Sequence, residues 1–184
     1  MAAGSSQDIV FENRAIRMKG PLPQAEMQML RAEVREGLSK ITEIEVEFLS
    51  NKMDSSLEDV LGKVITIEID TEKEGVRHFA GHCVEVLYEG VYQGFGHYLA
   101  SLRAWPWFLT QTTDCRIFQE MTAMAIIKQI FGDHGFSDYQ DKTGGGSATR
   151  TYCVQYRETD YDFVQRLMVE EGFYYYFDYA DGKD

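Results

Sequence analysis

The sequence predicts a mainly β fold with an α+β extension, and three observations lead to this class. Two stretches in the first seventy residues alternate apolar and charged side chains, which is typical of strands with one solvent-facing side. Further strand candidates follow at short, regular spacing, as in barrels and sandwiches. Beyond Thr113 the apolar spacing becomes helical. We therefore expect a β-barrel domain over residues 1–110 and an α+β segment over residues 111–184.

The first strand predictions rest on alternation. In ITEIEVEFLS, Ile44, Val46 and Phe48 share one face and glutamates occupy the other. VITIEID repeats this pattern, with isoleucine at every second position. The intervening NKMDSSLEDVLG predicts a loop that Gly62 closes. Residues 26–36 fit either a helix or a polar strand, and the sequence leaves the two alternatives open.

Two more strands are predicted before the change in character. FAGHCVEVLYEG predicts a strand from Phe79 to Tyr88, and HYLASLRAW predicts another. Between them, GVYQGFG is a glycine-rich connector. After the helical region, DKTGGGSATR has the composition of a flexible loop, and TYCVQY predicts a short strand.

Helical spacing starts in DCRIFQEMTAMAIIKQIFGDHG. Asp114 is the expected N-cap, and Gly132 or Gly135 the expected end. The residues predicted to lie along one line of this helix are Ile117, Met121, Met124 and Lys128.

A second helix is predicted inside RETDYDFVQRLMVEEGFYYYF. Thr159 is placed to cap it, with Asp162 three residues later, and Gly172 is placed to end it. Asp160 lies in the first turn, where the helix dipole favours a carboxylate. FYYYFD then predicts an extended aromatic strand. The expected buried stripe consists of Phe163, Val164, Leu167 and Met168.

The same stretch raises a catalytic alternative, a hydrolase that uses Glu158, Asp160 and a histidine. Distances along an ideal helix argue against a carboxylate pair, because Asp160 and Glu170 lie about 15 Å apart and a glycosidase pair needs roughly 5–10 Å. Scaffold is therefore the favoured interpretation. Glu170 and Glu171 oppose the dipole at the helix end, and nothing in the sequence explains them.

Histidines offer a weaker alternative. His78 and His82 stand at i and i+4 in HFAGHC, but Phe79 replaces the glutamate that a metalloprotease helix needs. Ordinary strand residues are the favoured interpretation, and His134 in GDHG is expected to be a surface loop residue. We expect no metal and no cofactor.

WPW is a possible aromatic platform for a small ligand, although Trp105 and Trp107 are expected instead to clamp a strand end onto the core. The glycines at 144–146 lack the Gly-Lys-Ser/Thr ending of a phosphate loop.

Composition limits the classes of partner. The chain has 184 residues, with 18 basic and 30 acidic side chains and a net charge of −12. This charge argues against nucleic-acid binding and against anionic membranes. Cys83, Cys115 and Cys153 form no CxxC pair, which indicates reduced thiols. The N-terminus lacks the features of a signal peptide, and no apolar run is long enough to span a membrane.

One block of sequence resembles a known family. YCVQYRETDYDFVQRLMVEEGFYYYF, with RIFQ upstream, looks like the N-terminal region of VgrG proteins, the spike components of bacterial type VI secretion that are related to phage baseplate hubs. The matching positions are Arg116, Ile117, Phe118, Gln119, Val154, Gln155, Tyr156, Glu158, Thr159, Asp160, Phe163, Arg166, Leu167, Glu171 and Gly172. We treat these as a structural motif and not as a catalytic site.

The resemblance implies a tube-like β-barrel of the hub type, with helices packed on strands, and makes residues 111–184 the start of a second hub domain. It implies a non-enzymatic structural protein that docks on a hexameric Hcp-type tube and forms a trimer in its full-length parent. Effector or spike-tip proteins are expected to bind regions beyond this chain. Export from the bacterial cytoplasm through the type VI apparatus is expected, without a signal peptide.

Overall fold

Strands dominate the structure, a computed structural model that describes residues 15–21, 27–51, 59–71, 73, 75–144 and 147–179. The chain separates into two compact units. The first consists of Met1–Arg35, Thr42–Ala104 and Asp178–Asp184, and the second of Glu36–Ile41 and Trp105–Phe177. The domains 1–110 and 111–184 stay a prediction, because compactness alone does not show that a unit folds independently.

The first unit holds a six-stranded antiparallel sheet in the order β1-β4-β5-β6-β3-β2. The sheet is barrel-like and nearly closed. Gly20, which follows β1, lies so near Met27 at the start of β2 that an added Cβ would be 3.3 Å from the methionine side chain. The strands are β1 (Ile16–Lys19), β2 (Met27–Arg35), β3 (Glu43–Ser50), β4 (Val64–Thr71), β5 (Gly75–Tyr92) and β6 (Phe95–Arg103).

Alternation predicted the strands β3 and β4, although in β4 it ends after Ile67, since Glu68 is buried and Ile69 only half-buried. Ile44, Val46 and Phe48 are buried, while the glutamates between them are only half-buried. In β4, Ile65 and Ile67 are fully buried. The ambiguous stretch 26–36 is largely strand β2, paired with β3. Residues 52–58 of the predicted loop lie outside the described residues, and the turn at its end has Gly62 at φ 73°.

The connector GVYQGFG is mostly strand, which corrects the prediction. Gln93 and Gly94 alone form the turn between β5 and β6, with Tyr92 paired to Phe95. Their φ values of 51° and 85° are both positive. A two-residue turn with two positive φ values matches the right-handed twist of the strands it joins, and therefore makes a tight hairpin.

The second unit combines a two-stranded ribbon with helices. A 3-10 helix at Trp105–Gln111 leads into β7 (Thr113–Thr122), α1 (Ala123–Asp133), β8 (Thr149–Thr159) and α2 (Asp160–Glu171). β7 and β8 are antiparallel. The core of this unit is formed by Trp105, Leu109, Phe118, Ala123, Ile126, Ile127, Ile130, Phe131, Cys153, Phe163, Val164, Leu167 and Met168. Within the described ranges, no helix is long and apolar enough to cross a membrane.

The helix predicted to follow an N-cap at Asp114 begins eight residues later than expected, at Ala123. Residues Thr113–Thr122 pair along β8, so a two-residue period decides their burial: Phe118 is buried and Ile117 is 60% exposed. The N-cap is Thr122, whose hydroxyl accepts a hydrogen bond from the Ala125 amide at 3.2 Å. Asp114 is therefore not the cap. The predicted line through Ile117 and Met121 is also wrong.

α2 follows the prediction. Thr159 Oγ1 accepts from the Asp162 amide at 3.0 Å, the predicted apolar stripe is buried, and Gly172 has φ 71° at the helix end. The predicted strand FYYYFD is wrong, since residues 173–179 belong to no regular strand. Side chains there still alternate between half-buried and exposed up to residue 178. The predicted turn at Asp181-Gly182 lies outside the described residues.

Candidate functional site

The side chain of Asp160 is the centre of a buried polar cluster in the second unit. α2 starts at this residue, and its amide donates to the carbonyl of Thr112 at 3.0 Å. Arg116 from β7, Gln155 from β8 and His134 from the end of α1 converge on the carboxylate. Strand pairing explains part of this, because Arg116 and Gln155 are direct partners in the ribbon. The Asp160 cluster comprises these four residues.

Both carboxylate oxygens of Asp160 have partners. Oδ1 accepts from Arg116 Nη2 and, at 2.7 Å, from Gln155 Nε2. Oδ2 lies 2.6 Å from His134 Nε2. Arg116 Nε also donates to Gln155 Oε1 at 2.9 Å, and its Nη1 donates to Asp133 Oδ2 at 3.1 Å. Asp160, Arg116 and Gln155 therefore hydrogen-bond one another pairwise, and His134 joins this network through Asp160.

Electrostatics keep Asp160 ionised. Burial raises the pKa of its carboxyl, but the hydrogen bonds from His134 and Gln155 and the charge of Arg116 outweigh burial, so the pKa lies below the ordinary value of 3.8. An ionised carboxylate beside a guanidinium, with its remaining lone pairs occupied, is the arrangement that makes a buried charge tolerable.

The geometry makes the hydrolase alternative untenable at this carboxylate. The Asp160 side chain is 2% exposed and its two oxygens are occupied, so a substrate or an attacking water has no access to it. Glu158 is engaged as well, since Arg166 Nη2 donates to it at 2.6 Å. The two carboxylates of the hydrolase alternative, Glu158 and Asp160, are thus bound to different arginines, Arg166 and Arg116.

A second set of ion pairs accounts for Glu170 and Glu171. Arg150, at the start of β8, donates to Glu170 at 2.5 Å and to Glu171 at 2.6 Å. Arg166 adds a contact of 3.4 Å to Glu170, one helical turn away. These cations lower the pKa of both glutamates, in each case with the Arg150 hydrogen bond as the largest cause. The unfavourable interaction of these two glutamates with the dipole of α2 is offset by the charge of Arg150, which comes from β8.

The expectation that His134 is an ordinary surface residue is wrong, because its ring contacts Asp160. His78 and His82 lie on one face of β5, where four residues span roughly 13 Å. Their contacts also differ: His78 is 3.3 Å from Glu68, and His82 Nδ1 is 3.3 Å from the carbonyl of Gly62. In the described part of the chain, no three His, Cys, Asp or Glu residues are grouped to hold a metal ion.

The tryptophans follow the clamp interpretation. Trp105 is buried, with its ring 4.6 Å from Phe136 in a stacked arrangement and 4.8 Å from Phe131 edge-on. Trp107 is half-buried and meets Phe108 edge-on at 5.4 Å. Trp105 therefore serves the core of the second unit. A ligand platform built from both rings has no support in this geometry.

The structural motif divides into three groups. Arg116, Gln155 and Asp160 form the polar cluster, and Phe118 stacks on Phe163 at 5.6 Å in the core. The third group is formed by six members that shape α2 or carry its ion pairs. Thr159 caps the helix, Leu167 is fully buried in its centre and Gly172 ends it, while Glu158, Arg166 and Glu171 form ion pairs. Gln119 and Tyr156 are exposed on the ribbon and belong to none of the three groups.

Sequence reasoning missed four contributors to these contacts: Thr122, Asp133, His134 and Arg150. Only Thr122 carried a usable signal, since a threonine directly before AMAII is a reasonable N-cap. His134 and Asp160 are 26 residues apart, and Arg116 and Asp160 are 44 apart. Contacts at such separations depend on tertiary structure, which residue spacing does not encode.

Comparison with known proteins then identifies the architecture. The family model for the phage tail baseplate hub (GPD) matches residues 35–184. The chain belongs to the phage tail baseplate hub (GPD) family. This match includes the Asp160 cluster, the ribbon and both α-helices. It also includes the strands β3 to β6 and the last residue of β2.

Relatives of this hub-family chain include proteins named VgrG, as the sequence resemblance predicts. The chain is 42% identical over 167 residues to the type VI secretion system spike protein VgrG1b of Pseudomonas aeruginosa, and the alignment covers 90% of this chain and 22% of that protein. VgrG1a of the same organism is 40% identical over 167 residues, covering 89% and 26%. The predicted resemblance to VgrG is confirmed. The chain spans about a quarter of the length of these two relatives.

A solved structure supports the hub fold. The E. coli c3393 protein, described as a type VI secretion component with structural similarity to the T4 tail proteins gp27 and gp5, aligns with a TM-score of 0.71 at 22% identity. The alignment covers 84% of this chain and 43% of that one. The predicted fold, a mainly β protein of the baseplate-hub type with helices packed on strands, is confirmed.

Proposed function

We propose that this chain is the base of a type VI secretion spike, a structural module that docks on a hexameric Hcp-type tube. The observation that carries the proposal is the hub-family match over residues 35–184. The named spike relatives support the same role. In a baseplate hub, the task of the fold is to present a stable surface to the tube and to the rest of the spike.

The internal use of the motif residues agrees with a non-enzymatic role. Arg116, Gln155 and Asp160 satisfy one another inside the second unit, and Glu158 and Glu171 are held by arginines. Polar side chains whose hydrogen bonds and ion pairs are all made within the protein stabilise a scaffold, and these side chains are not available as a catalytic acid or base. We propose that any enzymatic activity of the parent resides in other regions.

The partners and the route follow from the same proposal. The full-length parent forms a trimer, and effector or spike-tip proteins bind it through regions beyond this chain. The parent is made in the bacterial cytoplasm and leaves through the secretion apparatus together with the tube. Nucleic acid is not a partner, because a net charge of −12 opposes phosphate binding.

Electron microscopy of purified components tests the proposal. The full-length parent is mixed with tubes assembled from the Hcp protein of the same organism, and particles at tube ends are counted. We expect spikes at one end of the tubes. The matched control is a parent that lacks residues 1–184, which we expect to leave tube ends bare. Equal decoration by both proteins, or none by either, would contradict docking through this region.

A further inference from the structure

The connection between β2 and β3 belongs to the second unit, although both strands belong to the first. Residues Glu36–Ile41, here called the strap, leave the first unit after Arg35, and the chain returns to it at Thr42. The strap contains a four-residue turn closed by the Lys40 amide, which donates to the Gly37 carbonyl at 3.2 Å. At its tip Leu38 is 65% exposed.

The backbone of Ser39 anchors the strap on both sides. Its amide donates to the carbonyl of Tyr175 at 2.9 Å, and its carbonyl accepts from Gln165 Nε2 at 3.2 Å. Gln165 Nε2 also lies 2.6 Å from Tyr161 Oη and 3.0 Å from Tyr175 Oη, and the two phenol oxygens are 3.0 Å apart. Gln165, Tyr161 and Tyr175 thus form a polar latch on the strap.

Three features make this attachment weaker than the core beside it. Leu38 contributes little burial, whereas Leu167 on the adjacent helix turn is fully buried. Ser39 has φ 54°, a conformation that a type II turn requires at this position and that glycine or asparagine adopts with less strain. The hydrogen bonds of Ser39 that hold the strap are each of modest net worth in water. Local opening at such places costs less than global unfolding.

From these contacts we propose that the strap is a releasable device: it opens from its Gln165–Tyr161–Tyr175 latch while the cores of both units stay folded. Opening breaks the hydrogen bond from the Ser39 amide to Tyr175 and frees the Leu38 turn. The latch is insensitive to pH across the neutral range, because burial and the Tyr161 hydrogen bond raise the pKa of Tyr175 and keep its phenol neutral.

Native-state hydrogen exchange on the whole chain tests the proposal without any mutation. We expect the Ser39 amide to exchange slowly, but faster than the amides of Ala100 and Ile126, which represent the two cores. Low concentrations of urea should accelerate Ala100 and Ile126 and leave Ser39 nearly unchanged, because local opening exposes little surface. An equal urea dependence for all three amides would overturn the proposal, since the strap would then open only when the protein unfolds.

Two variants then test the latch itself. Gln165→Leu and the conservative Tyr175→Phe should each accelerate Ser39 exchange about 10-fold, with Ala100 unchanged. Gln119→Leu, an exposed glutamine on β7, is the matched control and should leave Ser39 unaffected. Unchanged Ser39 exchange in both latch variants would overturn the proposal, as would an equal acceleration of Ser39 and Ala100.

Discussion

At the scale of single residues, Asp160 shows how a buried charge serves a fold. Its carboxylate receives hydrogen bonds from two strands and contacts the ring that follows α1. Removal of one side chain of the Asp160 cluster leaves buried polar or charged groups of the others without a hydrogen-bond partner. The free-energy cost of such unpaired groups exceeds the net contribution of any single hydrogen bond.

We expect Asp160→Asn to lower the free energy of unfolding by about 2–4 kcal/mol. The lower part of the range applies if Arg116 keeps its contacts with Asp114 and Asp133, at 3.3 and 3.1 Å. Urea titration followed by circular dichroism measures the change. Asp138→Asn, at an exposed position, is the control, and we expect it to stay within about 0.5 kcal/mol. Equal effects of the two substitutions would contradict a stabilising cluster.

The same carboxylate predicts a pH dependence. Because the folded-state pKa of Asp160 lies below the ordinary 3.8, its stabilisation is complete well above that value and is lost as the pH falls through the folded pKa. The difference in unfolding free energy between wild type and Asp160→Asn should therefore be larger at pH 5 than at pH 3, because it shrinks as the pH falls below about 4. Subtracting the unfolding free energy of the variant from that of the wild type cancels the contributions of other carboxylates with a lowered pKa, such as Glu68 and Glu171. A difference that grows on acidification would show the opposite sign of linkage.

Residue-scale contacts were the least accessible to sequence reasoning. The role of Thr159 could be predicted, because a cap acts within three residues of its own position. His134 could not be placed, because a glycine-flanked histidine is typical of surface loops and its partner lies on another helix. Gln165 lies outside the predicted apolar stripe of α2, and the structure brings it against Tyr161 and the strap.

At the scale of elements, the start of α1 shows where periodicity misleads. Ile117 and Met121 are four residues apart, which fits a helix, but they belong to a strand whose burial alternates from Cys115 to Gln119. Pairing with β8 outweighs an apolar spacing that arises by chance over one turn. Alternation in β3 was reliable because three glutamates and three apolar residues obey it in succession.

The corrected helix start can be tested through its cap. We expect Thr122→Ala to lower the free energy of unfolding by about 0.5–2 kcal/mol, because the Ala125 amide loses its partner. Asp114→Ala is the matched comparison at the cap predicted from sequence, and we expect it to cost less, since Asp114 is half-exposed and forms a surface ion pair. Thermal unfolding of both variants measures the difference. A larger loss for Asp114→Ala would favour the longer helix.

The apolar stripe of α2 predicts another pair of outcomes. Leu167 is fully buried, so Leu167→Ala should cost about 2–5 kcal/mol. Val169 lies two positions further along the same helix and is 77% exposed, so Val169→Ala should stay within about 0.5 kcal/mol. Urea titration of both variants checks the helical phase. Similar losses at the two positions would show that the helix is rotated from the orientation described.

At the scale of the whole molecule, the acidic surface predicts the state of the isolated chain. A net charge of −12 on 184 residues disfavours self-association. We expect the chain by itself to be monomeric at micromolar concentration and about 0.15 M salt, where surface charges still act over roughly 8 Å. Multi-angle light scattering measures the mass. A stable trimer under these conditions would contradict this expectation and would place the proposed trimer contacts within these residues.

Both tryptophans of the chain, Trp105 and Trp107, lie in the second unit. Indole emission therefore reports only on that unit, and Trp105 in particular reports on its contacts with Phe131 and Phe136. The six-stranded sheet is invisible at this wavelength. An optical melt at 295 nm excitation and a far-ultraviolet melt of the same sample thus observe different parts of one polypeptide, and the gap between their midpoints measures how tightly the two units are coupled during unfolding.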